Sequence, residues 1–291
     1  MKKFLFVINP KAGVKSKQNI DLKIKKWLGK EVLAEFLWWE NADLDITTAI
    51  SKRISLENFD GVIAVGGDGT VNRTATALLN SKISFGILPI GSGNALARHL
   101  KIPVNLPYAA HIITNYKSQN MDSCTLNDKH FFCAAGTGFD AYVGNLFANA
   151  RSRGFSTYIK IAGKEFRKYK PLEYRIKTDG KEICRKAFLV TVANTNQYGN
   201  NAYIAPQADI NDGFMNVVIL KPFGLIHAPA LAGRLFLKNI HKSPLVETIK
   251  AKEVDIYREE PGSVHFDGEP AIMQKELCFR IFPNSLKIIV P

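Results

Sequence analysis

The chain has 291 residues, of which 46% are hydrophobic, 22% charged and 10% aromatic; this can bury a sizeable core and excludes a disordered or collagen-like polymer. Thirty-nine Lys and Arg against 26 Asp and Glu give a formal charge of +13, so polyanions are the expected partners: nucleotides, nucleic acid or an acidic lipid surface. No apolar run approaches twenty residues, and the opening run Phe4-Leu5-Phe6-Val7-Ile8 is broken too early by Asn9-Pro10 to act as a secretion signal, so a cytoplasmic protein is expected.

In chain order, residues 4–8 read as a strand buried on both faces, ended by the loop Asn9-Pro10-Lys11-Ala12-Gly13. The spacing predicts a helix over 17–28, a strand over 32–39 and a helix over 43–55. A second buried strand, 61–65, runs into Gly66-Gly67. Helical spacing resumes at 71–80, a strand follows at 83–88, and a helix starts at 95–100. This alternation implies crossovers onto a parallel sheet, with at least one of Trp38 and Trp39 in its core.

From about residue 122 the rhythm changes to short β-rich segments, 131–135, 172–178, 188–193, 215–220, 254–257, 277–281 and 286–290, interrupted by helical intervals near 141–169 and 224–241. The expected organisation is an α/β domain with a parallel sheet over 1–122, then a mainly antiparallel β-rich domain over 123–291. The last strand is free to return to the first domain. Cys124, Cys133, Cys184 and Cys278 form no C-x-x-C pair and have no closely spaced histidine, which predicts reduced, buried thiols rather than a zinc site.

The chemistry gathers first in Gly66-Gly67-Asp68-Gly69-Thr70-Val71-Asn72, at a strand-to-helix transition. Glycines let backbone N–H groups approach phosphate oxygens, and a helix N-terminus offers unpaired donors. An acid in such a loop repels phosphate unless a cation lies between, so Asp68 points to magnesium; the alternative is a helix N-cap. Gly91-Ser92-Gly93-Asn94 repeats the arrangement after the next strand, with Asn94 either a ligand or a cap. Two such loops at neighbouring strand ends make a cleft at the carboxyl edge of the sheet. Neither is a Walker A or a G-x-G-x-x-G loop.

Together with GTGFDA at 136–141, ADINDGFMNVVIL at 208–220 and DGE at 267–269, these pieces resemble the diacylglycerol kinase catalytic-domain family. That family includes bacterial lipid kinases and the eukaryotic sphingosine and ceramide kinases. The resemblance implies an ATP-dependent lipid kinase with an N-terminal nucleotide-binding α/β domain and a mainly antiparallel β-sandwich C-terminal domain. It implies ATP contacts from Asn9, Gly66, Gly67, Asp68, Gly69, Thr70, Val71, Asn72 and Ser92, and Glu269 as catalytic base beside Asp68. It also implies a structural magnesium site at Asp209, Asp212 and Phe214, where an Asx turn is the alternative, and a substrate contact at Asp140.

Two departures stand out. Arg73 occupies a position where the family commonly has Glu, and GSGNALAR, with Ala95, replaces the family's frequent GTxNDFAR. That wording is closer to the sphingosine and ceramide kinases, so the expected acceptor is diacylglycerol or a sphingoid or ceramide-type lipid. A catalytically silent member or a soluble NAD kinase-like enzyme are the alternatives. Residues 151–186 hold twelve basic and four acidic residues. Within them Lys160, Lys164, Arg167 and Lys168 share a helical face opposite Ile159, Ala162, Phe166 and Tyr169, which is either a solvated face or an interfacial helix on anionic membrane. No base-reading motif accompanies this charge, so nucleic acid is not an expected partner; a homodimer is left open.

Overall fold

The computed structural model describes residues 1–13, 18–30, 32–41, 44–150 and 155–291. Lys17 and Asp43, the expected starts of the first two helices, and Arg151 and Arg153 of the basic stretch lie outside the described residues. The chain divides into two compact units, Met1–Met121 with Asn284–Pro291, and Asp122–Pro283.

The first unit alternates β1 (Lys2–Ile8), α1 (Ile20–Leu28), β2 (Val32–Trp38), α2 (Ile46–Leu56), β3 (Gly61–Gly66), α3 (Asp68–Ala77), β4 (Ser84–Pro89), α4 (Ala95–His99) and α5 (Leu106–Asn115). The strands stand in the order β2-β1-β3-β4 and pair in parallel, as the alternation requires. Phe4 to Ile8 and Val62 to Val65 are fully buried, which explains their unbroken apolar runs. β2 forms the edge and is only half-buried, so neither Trp38 nor Trp39 enters the core. α3 begins at Asp68, three residues before the expected start, because Gly67 is its N-cap. Pro107 stands in the first turn of α5, where its missing N–H costs no hydrogen bond.

β5 (Lys117–Leu126) leads into the second unit, which contains β6 (Lys129–Phe131), β7 (Ala134–Gly138), α6 (Phe139–Ala148), α7 (Phe155–Glu165), β8 (Leu172–Thr178), β9 (Lys181–Ala187), β10 (Leu189–Ala193), β11 (Met215–Leu220), α8 (Ala228–Phe236), β12 (Val246–Ala251), β13 (Glu253–Arg258), β14 (Gly262–Phe266) and β15 (Glu269–Met273). β16 (Glu276–Val290) closes the chain, and its Ile288 pairs in parallel with Phe85 of the first unit's own sheet. One antiparallel sheet runs β12-β11-β10-β7-β14-β15. A second runs β16-β13-β8-β9. Val190, Val217 and Val264 of the first sheet share one core with Tyr174, Ile256 and Phe279 of the second, making a β-sandwich.

Three further expectations need correction. The strand at 131–135 is broken, with β6 ending at Phe131 and β7 starting at Ala134. The two strands expected at 277–281 and 286–290 are one, running through Pro283 and a left-handed Asn284 (φ 54°). All four thiols are free, but only Cys124 and Cys133 are buried; Cys184 is exposed on β9.

Gly138 joins β7 to α6 at φ +116°, and a Cβ there would lie 2.5 Å from the Leu189 Cα and 2.8 Å from the Phe188 carbonyl oxygen. Neither backbone atom can move without breaking the β7–β10 ladder. Gly138→Ala is therefore expected to destabilise the protein by about 2–4 kcal/mol in urea unfolding. A wild-type midpoint would show that this junction carries no such constraint.

Candidate active site

β3 and β4 end side by side, with Gly66 paired to Pro89 and the Ile90 N–H donating to the Gly66 carbonyl at 3.0 Å. Beyond those ends the backbones of Gly67 and Gly91 touch: a Cβ on Gly91 would stand 2.5 Å from the Gly67 Cα. The carboxylate of Asp68 joins the two loops. Its Oδ2 accepts the Asn94 N–H at 3.0 Å and its Oδ1 the Ala95 N–H at 2.7 Å. Asp68 thus sits in the first turn of α3 yet caps α4. Burial pushes its carboxyl above the usual aspartate range, against the pull of these N–H bonds and the charge of Arg98.

Asn94 does not cap α4 with its side chain. Its Oδ1 accepts the Gly91 N–H at 3.0 Å and its Nδ2 donates to the Gly91 carbonyl at 2.8 Å, which fixes the second loop from within. Asn9, at the end of β1, donates from Nδ2 to the Thr70 hydroxyl at 3.2 Å, while its Oδ1 accepts the Lys11 N–H at 2.9 Å. Asn9, the 66–72 loop and the 91–94 loop therefore meet at one edge of the first unit's sheet. Thr70, Val71 and Asn72 are buried there and Ser92 is exposed. α3 starts at that edge with Gly67 as its N-cap, and a helix leaves its first donors without an intrahelical partner.

In the second unit, β14 and β15 form a hairpin with a two-residue turn, Asp267 (φ 47°) and Gly268 (φ 82°), both left-handed as the tight hairpin turns require. Asp267 turns its carboxylate away from the tip. It accepts the N–H groups of Phe132 at 2.8 Å, Cys133 at 2.7 Å and Ala134 at 3.2 Å, the donors freed where β6 gives way to β7. Glu269 follows the turn as the first residue of β15.

Asp140, in the first turn of α6, is almost wholly buried. Its Oδ2 receives the Tyr198 hydroxyl at 2.8 Å, the His265 Nε2 at 3.0 Å and the Thr191 hydroxyl at 3.1 Å, and its Oδ1 accepts the Ala141 N–H at 2.8 Å. Burial pushes the Asp140 carboxyl up most strongly. The charge and hydrogen bond of His265, with the Tyr198 and Ala141 bonds, outweigh it and hold the carboxyl below its ordinary range. The Tyr198 phenol is pushed well up by burial and by the Asp140 charge. Since His265 lies on β14, this network reaches the hairpin that carries Glu269.

The loop expected to hold metal is an Asx turn in its local bonding: Asp212 Oδ1 accepts the Phe214 N–H at 3.0 Å and Asp209 Oδ1 the Asn211 N–H at 3.3 Å. Asp212 Oδ2 pairs with the Lys250 ammonium at 2.6 Å, and the buried Asp122 accepts the Gly213 N–H at 2.8 Å. Among the described residues, no three His, Cys, Asp or Glu side chains gather closely enough to cage a metal by themselves.

Residues 3–126 match the diacylglycerol kinase catalytic domain, and residues 133–290 match the YegS C-terminal NAD kinase beta sandwich-like domain. A diacylglycerol kinase of Mycobacterium tuberculosis is 31% identical over 80% of this chain and 77% of its own length. The chain belongs to the diacylglycerol kinase catalytic-domain family. A probable YegS-like lipid kinase of Yersinia enterocolitica is 27% identical over 87% of this chain and 85% of its own. In fold, a diacylglycerol kinase structure from Bacillus anthracis superposes with a TM-score of 0.78 at 23% identity, covering 100% of this chain and 97% of that one.

Placed on this family member, Asp68, Asn9 and the two glycine loops form one group in the first unit, and Asp140 and the Glu269 hairpin form another in the second. Asp122, Asp267, Tyr198 and His265 are structural partners that the sequence reading does not single out. Only Asp267 carries a local signal, the Asp-Gly pair of a two-residue hairpin.

An Asn at position 68 would offer one acceptor where two N–H groups now find two, so its amide nitrogen would face the Asn94 or Ala95 N–H. Asp68→Asn should lower stability by about 1–3 kcal/mol in thermal melting. Unchanged melting would mean that the loops hold without this carboxylate. The depressed Asp140 carboxyl stabilises the fold above the unfolded aspartate value of about 4 and loses that contribution as pH falls through its lower folded value. Asp140→Asn should therefore flatten the acid limb of urea midpoints taken between about pH 3 and about pH 7. An acid limb as steep as that of the wild type would refute the assignment.

Proposed function

We propose that the protein is an ATP-dependent lipid kinase that transfers the γ-phosphate of ATP to the hydroxyl of diacylglycerol or of a sphingoid or ceramide-type lipid. The observation that carries this reading is the Asp68 clamp. It holds two glycine loops together at the carboxyl ends of β3 and β4, where α3 starts from Gly67. Gly66, Gly67 and Gly69 let the backbone close on phosphate oxygens. Thr70 and Asn72 line the first turn, Val71 anchors it in the core, Ser92 extends it, and Asn9 closes the side of β1.

Phosphoryl transfer asks the protein for positioning and charge neutralisation more than for covalent chemistry. Glu269 is assigned as the base that takes the hydroxyl proton. It follows a turn held by three N–H bonds to Asp267, which fix the backbone from which its side chain starts. Asp140 supports that hairpin through His265 and stands beside the lipid-accepting residues in this reading.

The residues present fit magnesium that arrives on the nucleotide. Asp68 is the carboxylate between the two glycine loops, and a magnesium ion commonly takes one or two carboxylates with substrate phosphates and water. When bound, the ion neutralises phosphate charge. At the Asp209, Asp212 and Phe214 loop, a cation would take the place of the half-exposed Lys250 ammonium on Asp212. We assign the protein to the cytoplasmic face of a membrane, in peripheral contact with anionic lipid. No helix among the described residues is long and apolar enough to cross a bilayer.

Labelled ATP, magnesium and a panel of diacylglycerol, ceramide, sphingosine and monoacylglycerol in mixed micelles test this reading. One lipid should become labelled, and Glu269→Gln should lower its turnover on the order of 10²–10⁴-fold with ATP binding nearly unchanged. No label on any lipid would favour the silent alternative that Arg73 and Ala95 motivate. Full activity of Glu269→Gln would place the base elsewhere.

A further inference from the structure

α8 and the single 3-10 turn before it, Leu225–His227, have an inverted surface. Leu231 is buried and Leu235 packs against a core cluster that includes Ala193 and Val218. On the opposite side, Ile226, Pro229, Ala230, Gly233 and Leu237 follow at the spacing i, i+3, i+4, i+7, i+11 and form one face without a polar side chain. Ile226 is 86% exposed, Leu237 72% and the neighbouring Leu225 48%. A surface helix in water normally turns its polar side outward, so a contiguous apolar face of this kind marks a contact surface.

Its surroundings say which contact. From Lys221 to Val246 the chain has Lys221, Arg234, Lys238 and Lys242 and no acidic residue. Phe223, which leads into the 3-10 turn, packs against Phe166 at 5.3 Å and Phe188 at 4.8 Å. That contact brings the start of the 3-10 turn close to the end of α7, where Lys164, Arg167 and Lys170 are exposed. An apolar strip with cations in its neighbourhood complements an anionic bilayer: acyl chains for the strip, headgroup charge for the cations.

We propose that the 225–237 segment is the membrane-inserting surface of this protein. Its apolar face enters the headgroup and acyl boundary of an anionic bilayer, and the basic end of α7 supplies electrostatic attraction. Residues 155–170, read from the sequence as either a solvated face or an interfacial helix, have a supporting part in this proposal. Phe166 and Tyr169 of that segment pack into an aromatic cluster with Phe139 and Phe188, and α7 ends at Glu165. The proposal deepens the lipid-kinase reading and rests on it for the reason a membrane is met.

Co-sedimentation with vesicles of phosphatidylcholine alone, and of phosphatidylcholine mixed equally with phosphatidylglycerol, tests it. Wild-type protein should bind the mixed vesicles. Ile226→Glu and Leu237→Glu should each weaken binding about tenfold or more, since each removes one apolar side chain from the lipid. Lys164→Glu with Arg167→Glu should weaken binding to the anionic vesicles only. Both exposed-face variants should melt like the wild type and keep turnover on a dispersed short-chain diacylglycerol. Unchanged vesicle binding in the Ile226 and Leu237 variants would overturn the proposal. So would a wild-type dimer in sedimentation velocity that these variants dissociate while no vesicle binding occurs, because a second copy would then cover the face. Absence of turnover on every lipid, with vesicle binding still lost in the variants, would sink the kinase reading and leave the membrane surface supported.

Discussion

The first unit depends on a single carboxylate serving two helices. Parallel strands ending side by side bring two helix starts together, and each start presents backbone donors that repel one another and lack partners. Asp68 resolves this by belonging to α3 and bonding the first N–H groups of α4. The contact of Gly67 with Gly91 follows from it, since the loops can be drawn together only where no side chain stands between them. Asn94 is thereby freed from capping and braces Gly91. The N–H groups of Asn94 and Ala95 are thereby occupied within the protein.

The second unit solves a similar problem with other acids. Asp267 takes three N–H groups where β6 breaks into β7, and Asp140 gathers two hydroxyls and an imidazole from β10, β14 and the segment between β10 and β11. Both acids stand in motifs that invite a chemical role. Their bonding shows why such motifs hold together as units: a carboxylate accepting several donors in a low-dielectric interior is costly to disturb, and it holds neighbouring segments at fixed positions. Glu269 begins β15 directly after the turn that Asp267 holds.

Legibility in the sequence followed burial. Strands covered on both faces, such as β1, β3 and β11, show as unbroken apolar runs and were readable. β9 reads Lys-Glu-Ile-Cys-Arg-Lys-Ala and is mostly exposed at the edge of its sheet, so periodicity alone misses it. β12 and β15 are likewise half-exposed edge strands. β16 reads as two strands because Pro283 and Asn284 look like a turn, yet the ladder continues on both sides. The glycine loops were legible as small-residue loops at the ends of neighbouring strands. The partners of Asp68, Asp140 and Asp267 were not, because each lies many residues away and only the fold brings it near.

The same limit applies to the α8 face. Its composition, apolar residues with scattered cations, is that of an ordinary packed helix, and only burial separates the side that packs from the side that does not. Leu231 and Leu235 satisfy the first role, which leaves Ile226 and Leu237 outside any core they could join. Two forces of different range then act at one surface. Attraction by Lys164, Arg167 and Lys170 reaches about a Debye length and weakens with salt, whereas insertion of the apolar strip acts only on contact and is insensitive to it. Charge alone brings a protein of +13 near any polyanion, nucleic acid included. The apolar strip makes a bilayer the better partner, since it gains nothing from a phosphate backbone in water.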